Sequence, residues 1–307
     1  MWSTREETGL GGQPKVVLAG SGEGGAVHGA EIYLFGATVT SFVHRGEEQI
    51  FVSPLALFNG VKAVRGGVPL VFPQFGQPLA SMPQHGFARN QPWKLSALTS
   101  DESSARAVLT LSDSEETLVV WPHRFHLCYT VLLTEQSLKC SLQVNCLDDA
   151  PFNCQALLHT YLNIGDITTL SARGFNGLSF ADKVRGGETF EETGEERAVC
   201  GEVDRVYIEG EAGRIPDITV SFSNEGKSRA ILVKKGACLA NESGVEQLAT
   251  DVVFWNPWEE KSIALADMSD DGYRHFVCVE PGVVHGWTQV SKDTALVLHQ
   301  ELIPSSL

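Results

Sequence analysis

Apolar and polar residues alternate at every second position over much of this chain, a period that predicts strands with one buried face. The clearest case is a hairpin. Phe125, Leu127, Tyr129, Val131 and Leu133 share one face, and after a Glu135-Gln136-Ser137 turn Leu138, Cys140, Leu142 and Val144 continue it. Between them stand His126, Thr130, Thr134, Lys139, Ser141, Gln143 and Asn145, which leaves the other face wetter. Ala105, Ala107, Leu109 and Leu111 repeat the pattern, and Asp113–Thr117 reads as a turn. Ile218, Val220 and Phe222 lead through an Asn224-Glu225-Gly226 turn into the apolar run Ala230–Val233. Ile32–Phe35 and Thr38–Val43 read as short strands meeting at Gly36. Leu55–Val64 fits a short helix or a turn. Only one longer helix is predicted, around Pro257–Met268, with acids near its start and Gly272 beyond its end.

The expected fold class is therefore all-β. A flexible, polar, glycine-rich tail over residues 1–14 would precede one large domain over 15–307, since no fixed-period repeat and no polar linker is visible. The alternative is two β domains parted near 165–215, the most charged and glycine-rich part.

One stretch, Ala63–Trp93, breaks the alternation. Its density of Gly and Pro argues against a regular helix. It sets Arg65, Gln84, His85 and Arg89 on a stiff frame beside Phe72, Phe75, Phe87 and Trp93, and reads as a rigid, irregular binding wall.

Charge narrows what such a wall can bind. The 307 residues carry 38 acids and 23 Lys or Arg, a net charge of −15. That balance argues against nucleic acid or an anionic membrane as the main partner, and admits an anionic small molecule only where arginines concentrate. Seven cysteines without a CxxC fit small buried hydrophobes rather than disulfides or a zinc site. The N-terminus has no secretory pattern, and no apolar run reaches the roughly 18–20 residues of a membrane helix. A cytoplasmic location is expected. The alternative is a peroxisome-type organelle, through the distant likeness of Ser305-Ser306-Leu307 to an SKL signal.

Two places have the character of a reactive site. Read as one strand, Phe152–Asn163 puts Asn153, Gln155, Leu157, His159, Tyr161 and Asn163 on a mostly polar face, as where a sheet lines a cleft. An exposed sheet surface gives the same pattern. Glu280 ends the apolar run Phe276–Val279 before Pro281-Gly282, where burial would raise its pKa toward that of a general base; a carboxylate capping a turn is the plainer alternative. His123 and His126 would face opposite sides of a strand, so no metal site is expected there. Val203-Asp204-Arg205-Val206-Tyr207 reads unaided as a salt-bridged surface strand. Walker-type phosphate loops and the GxSxG elbow are absent.

Taken in order, RGGVPLVFPQFG (65–76), QHGFARN (84–90), LHTYLNI (158–164), VDRVY (203–207), FWNPW (254–258) and VCVEPG (277–282) resemble the glucose-6-phosphate 1-epimerases, or hexose-6-phosphate mutarotases, of the galactose mutarotase-like superfamily. The likeness runs from about residue 16 to residue 303. It implies an antiparallel β-supersandwich and interconversion of the α and β anomers at C1 of a hexose 6-phosphate, glucose 6-phosphate first. It further implies that His159 and Glu280 are the catalytic pair, Glu280 as base and protonated His159 as acid. Arg65, Gln84, Arg89 and Asp204 would contact substrate, with His85 as a second imidazole near the ring. Arg65 and Arg89 are the candidates for the phosphate. The expected reaction needs neither metal nor redox cofactor, and a monomer is the expected state. Two alternatives stay open: an epimerase of free aldoses, and a non-catalytic sugar-phosphate-binding protein.

Overall fold

The predicted hairpin forms the middle of the largest sheet. Phe125–Thr134 pairs antiparallel with Leu138–Cys146, Leu133 opposite Leu138 and Phe125 opposite Cys146. In the computed structural model, which describes residues 1–209, 214–224 and 226–306, this sheet has nine strands. Their order is Ser171–Arg173, Ile218–Asn224, Lys227–Asn241, Ala295–Ser306, Leu138–Cys146, Phe125–Thr134, Ser104–Ser112 and Lys94–Ser100, with Gly244–Leu248 also on Lys227–Asn241. An eight-stranded sheet runs Glu188–Glu191, Ser179–Asp182, Val203–Tyr207, Asp251–Asn256, Phe276–Val290, Phe152–Leu158 and Leu70–Val71, and Tyr161–Asn163 joins it on Phe276–Val290. The first five strands, from Ser3–Thr8 to Glu47–Glu48, make a third sheet.

One apolar cluster joins all three sheets. It takes Leu127, Tyr129, Leu142 and Leu298 from the nine-stranded sheet, Ala156, Phe254, Val277 and Val279 from the eight-stranded one, and Leu18 and Ile32 from the third. Because side chains alternate across a strand, the opposite face of the eight-stranded sheet carries a second set. There Val206, Val253 and Leu157 pack with Val71, and Trp255, Cys278 and Tyr161 lie beside them. This face bears the site.

Several expectations need correction. Residues 1–14 are not a flexible tail: Ser3–Thr8 pairs with Pro14–Ser21 in full register, and Trp2 is buried against His28. The segment STREET hides its strand because it sits at a sheet edge with few side chains buried, so no apolar alternation marks it. Asp113–Thr117 is not only a turn. It opens a short helix, Glu115–Val120, capped reciprocally by Ser114 and Thr117. The later helix is shorter than predicted, Trp258–Ala264, and Leu55–Val64 forms turns without a helix. Segment 165–215 contributes Ser171–Arg173 to one large sheet and Ser179–Asp182 to the other. Residues 210–213 within it, Glu225 of the expected turn and Leu307 of the terminal tripeptide lie outside the described residues. All seven cysteines are free, and four are buried.

The wall stretch is folded by backbone contacts that tolerate no side chain. Gly86 has φ +71°, and a Cβ there would lie 2.1 Å from the Phe72 carbonyl oxygen, which itself accepts from Phe87 N and Ala88 N. Gly86→Ala should therefore cost on the order of 3 kcal/mol, from backbone strain and the clash with fixed main chain. A urea midpoint equal to the parent's would contradict this.

Candidate active site

The floor of the site follows from strand register. Asp204 pairs with Trp255, Trp255 with Cys278, and Cys278 with Tyr161, so these four stand in one row across the outward face. Val206, Val253 and Glu280 form the next row. Above them lies a cavity of about 830 Å³, lined by Arg65, Phe75, Gln84, His85 and Arg89 of the Ala63–Trp93 stretch and by Lys183, Asp204 and Asp267. The Ala63–Trp93 stretch thus does form a wall, and every predicted site residue lines this one cavity.

His159 stands at a break that the sequence reading passed over. The expected single strand Phe152–Asn163 is two strands, Phe152–Leu158 and Tyr161–Asn163, with His159 and Thr160 between. Its register also shifts at Gln155, whose side chain accepts from Phe75 N and donates to the Val284 and Gly286 carbonyls. His159 N donates to the Pro69 carbonyl at 3.0 Å, and the Thr160 hydroxyl donates to buried Gln300 at 2.8 Å, so the break is pinned from both sides. The imidazole stacks on Tyr161, centroids 4.9 Å apart and planes within 10°. Trp255 and His85 meet it edge-on, each 5.8 Å away.

His159 Nδ1 lies 3.4 Å from Glu280 Oε1, with both side chains almost wholly buried. The two are in contact but not aligned as a hydrogen bond; His159 Nδ1 and Glu280 Oε2 have no hydrogen-bond partner among the described residues. Burial, then the charge on Asp204, pushes the Glu280 carboxyl well above the usual range against the pull of Lys183 and Arg89. Burial, then His85, Arg89 and Arg65, pushes His159 well below its ordinary value. The two directions together favour the neutral carboxyl and the neutral imidazole in the free protein.

The two arginines differ. Arg65 donates from Nε to Asp267 Oδ1 at 2.9 Å and reaches Asp267 Oδ2 and the Tyr161 hydroxyl at 3.5 Å. Burial acts to lower its pKa, but Tyr161 and Asp267 outweigh it and hold Arg65 above its ordinary value. Arg89 has no carboxylate partner among the described residues. Its Nη2 donates to the Gln84 carbonyl at 2.9 Å, and its buried Nε has no partner. Burial and, against the opposing pull of Tyr161, the neighbouring Arg65 lower it to about 10. A half-buried guanidinium with its Nε unpartnered and no counter-charge is costly, and its cost is relieved by an anion.

His85 is neutral. Burial, Arg89 and Lys183 push it down to about 2, and its Nδ1 accepts from Gly76 N at 3.2 Å, which leaves the ring proton on Nε2. Gln84 is exposed at the rim, and its backbone carbonyl is what holds Arg89. Asp204 is raised by burial against the pull of Lys183, whose ammonium lies 4.0 Å away and 3.7 Å over the Phe75 ring. The VDRVY strand is thus two-sided rather than a surface strand: Asp204 enters the cavity, while Arg205 is buried behind it with Glu192 and Asp182.

Sequence reasoning missed Lys183 and Asp267. Lys183 sits in a charged, turn-rich segment where nothing distinguishes it, and Asp267 was counted as part of the predicted helix. Pairing across 202 residues of chain leaves no local signal. His123 and His126 share no site, since His123 faces Asp148 and His126 bonds Ser112.

A family model described as aldose 1-epimerase matches residues 23–296. The chain is 34 % identical over 276 residues to a candidate glucose-6-phosphate 1-epimerase of Escherichia coli K12, covering 89 % of this chain and 86 % of that one. It is 33 % identical over 264 residues to a candidate glucose-6-phosphate 1-epimerase of Cenchrus ciliaris, covering 83 % and 75 %. Its fold superposes on the crystal structure of a candidate mutarotase of Salmonella typhimurium with a TM-score of 0.83 and 27 % identity, over 100 % of this chain and 94 % of that one. The mutarotase-like β-sandwich, the cavity on its outward face and this match over most of the length agree: the chain belongs to the aldose 1-epimerase family.

Proposed function

We propose that the chain interconverts the α and β anomers of hexose 6-phosphates, with glucose 6-phosphate as the first substrate to test. Membership in the family supports a sugar substrate and isomerase chemistry at C1. The observation that carries the phosphate is Arg89, a half-buried cation with no carboxylate partner among the described residues, in the same cavity as the His159–Glu280 pair. A phosphate monoester brings about two negative charges near pH 7, and a planar guanidinium can hold two of its oxygens at once. Arg65 is already paired with Asp267, so it serves more as an oriented donor than as the counter-charge.

Ring opening needs one group to take the C1 hydroxyl proton and another to protonate the ring oxygen, and His159 and Glu280 do both. With Glu280 ionised and His159 protonated, Glu280 removes the hydroxyl proton and His159 donates to O5. The C1–O5 bond breaks and leaves the free aldehyde. Rotation about C1–C2 presents the other carbonyl face, and closure returns both protons. Each group contributes on the order of 10²–10⁴-fold. An anion on Arg89 cancels a charge that holds His159 down, which favours the imidazolium this step requires. The same anion relieves the pull of Arg89 on Glu280, which raises the basicity of its carboxylate. Asp204 accepts from sugar hydroxyls, and neutral His85 offers its Nε2 proton to the ring.

The test is anomer exchange at equilibrium by NMR magnetisation transfer. Adding the protein to glucose 6-phosphate should raise the α-to-β exchange rate far above the uncatalysed rate, and an unchanged rate would refute the reading.

A further inference from the structure

One buried group packed beneath the cavity lining has no part in this reaction. Cys278 precedes Glu280 by two residues on the same strand, so its thiol projects from the same face. One ligand atom each from His159, Cys278 and Glu280 lie within 4.8 Å of one another, and all three residues are buried. We propose that these three form an inhibitory site for a thiophilic divalent cation of the zinc class, which shuts the enzyme off by occupying its acid–base pair. That the metal inhibits rests on the roles proposed above for His159 and Glu280; that it binds does not.

The geometry and the donor set both fit. Tetrahedral zinc takes nitrogen, oxygen and sulfur at about 2.0–2.3 Å, which sets its donor atoms about 3.3–3.8 Å apart. His159 Nδ1 and Glu280 Oε1 are already at 3.4 Å, and the Cys278 sulfur lies within 4.8 Å of a ligand atom of each. Cys, His and carboxylate make up a three-ligand set, and the cavity above offers the fourth position to water or a sugar hydroxyl. His159 Nδ1 and Glu280 Oε2 also lack protein partners, so a metal displaces no existing hydrogen bond at either atom.

Proton balance is explicit. Binding forms one bond each to sulfur, nitrogen and oxygen, and it requires thiolate, neutral imidazole and carboxylate, so the protons these groups carry leave to solvent as the ion enters. The thiolate and carboxylate then carry two negative charges against the two of the cation. Arg65, Arg89 and Lys183 line the same cavity and oppose the ion, so the sulfur bond must supply the affinity. Magnesium and calcium, which prefer oxygen donors, should therefore not bind.

Cobalt(II) is the probe. Titrated into the full chain, it should develop a thiolate-to-cobalt charge-transfer absorption that zinc abolishes and magnesium leaves intact. Zinc should also inhibit anomer exchange on glucose 6-phosphate, reversibly with EDTA. Cys278→Ser should lose the absorption band and need at least about 100-fold more zinc for inhibition, whereas Cys200→Ser, at an exposed cysteine, should keep both. If serine disturbs the packing between Trp255 and Tyr161, Cys278→Ala provides the same comparison. No band in the parent, or a band that survives both Cys278 substitutions, overturns the site. A band that depends on Cys278 in a protein that accelerates no anomer exchange would leave the metal site standing and refute the proposed function instead.

Discussion

Replacing Glu280 by glutamine should lower anomer exchange on glucose 6-phosphate by about 10²–10⁴-fold while leaving sugar-phosphate binding nearly intact. Glutamine has almost the same volume and keeps a hydrogen-bonding end, so the cavity floor between Val253 and Pro281 is little disturbed. It can neither accept the C1 hydroxyl proton nor hold the proton it would share with His159. The loss should therefore appear in kcat, with KM changing little, because the missing interaction belongs to the transition state. NMR exchange rates over a range of substrate concentrations separate the two. A Glu280→Gln protein that exchanges anomers at the parent rate would refute the acid–base assignment.

Arg89→Ala should have the next largest effect, and of a different kind. Removing the only cavity guanidinium without a carboxylate partner among the described residues should cost about 10²-fold in kcat/KM on glucose 6-phosphate, about 2.7 kcal/mol. Activity on free glucose should change only a few-fold, since that sugar brings no anion. The selectivity ratio is the readout, because a general distortion of the wall would lower both activities together. An unchanged ratio would show that the phosphate lies elsewhere.

Much of this arrangement was legible in the sequence, and the reasons differ from residue to residue. The hairpin Phe125–Cys146 was read almost to the residue because strict alternation and a short turn fix its register. The edge strand Ser3–Thr8 was not, since it buries almost nothing and so has no apolar signature. The helix Glu115–Val120 was hidden by its own capping residues, which read equally well as a turn. At the site, His159, Glu280 and the residues of the Ala63–Trp93 wall were found through ordered motifs, and all of them line one cavity. Their division of labour was not legible. Whether an arginine is free or already neutralised depends on Asp267, which the chain brings to Arg65 only through the fold. The directions in which His159 and Glu280 are shifted depend on burial and on charges from four separate segments.

The central claim is that this pocket turns over a phosphorylated aldose and not merely any aldose. Exchange rates measured side by side for glucose 6-phosphate and for glucose, at matched concentrations and above their uncatalysed backgrounds, test it most directly. The kcat/KM for the phosphate ester should be higher by about the factor of 10² assigned to Arg89. Equal acceleration of the two sugars would contradict it.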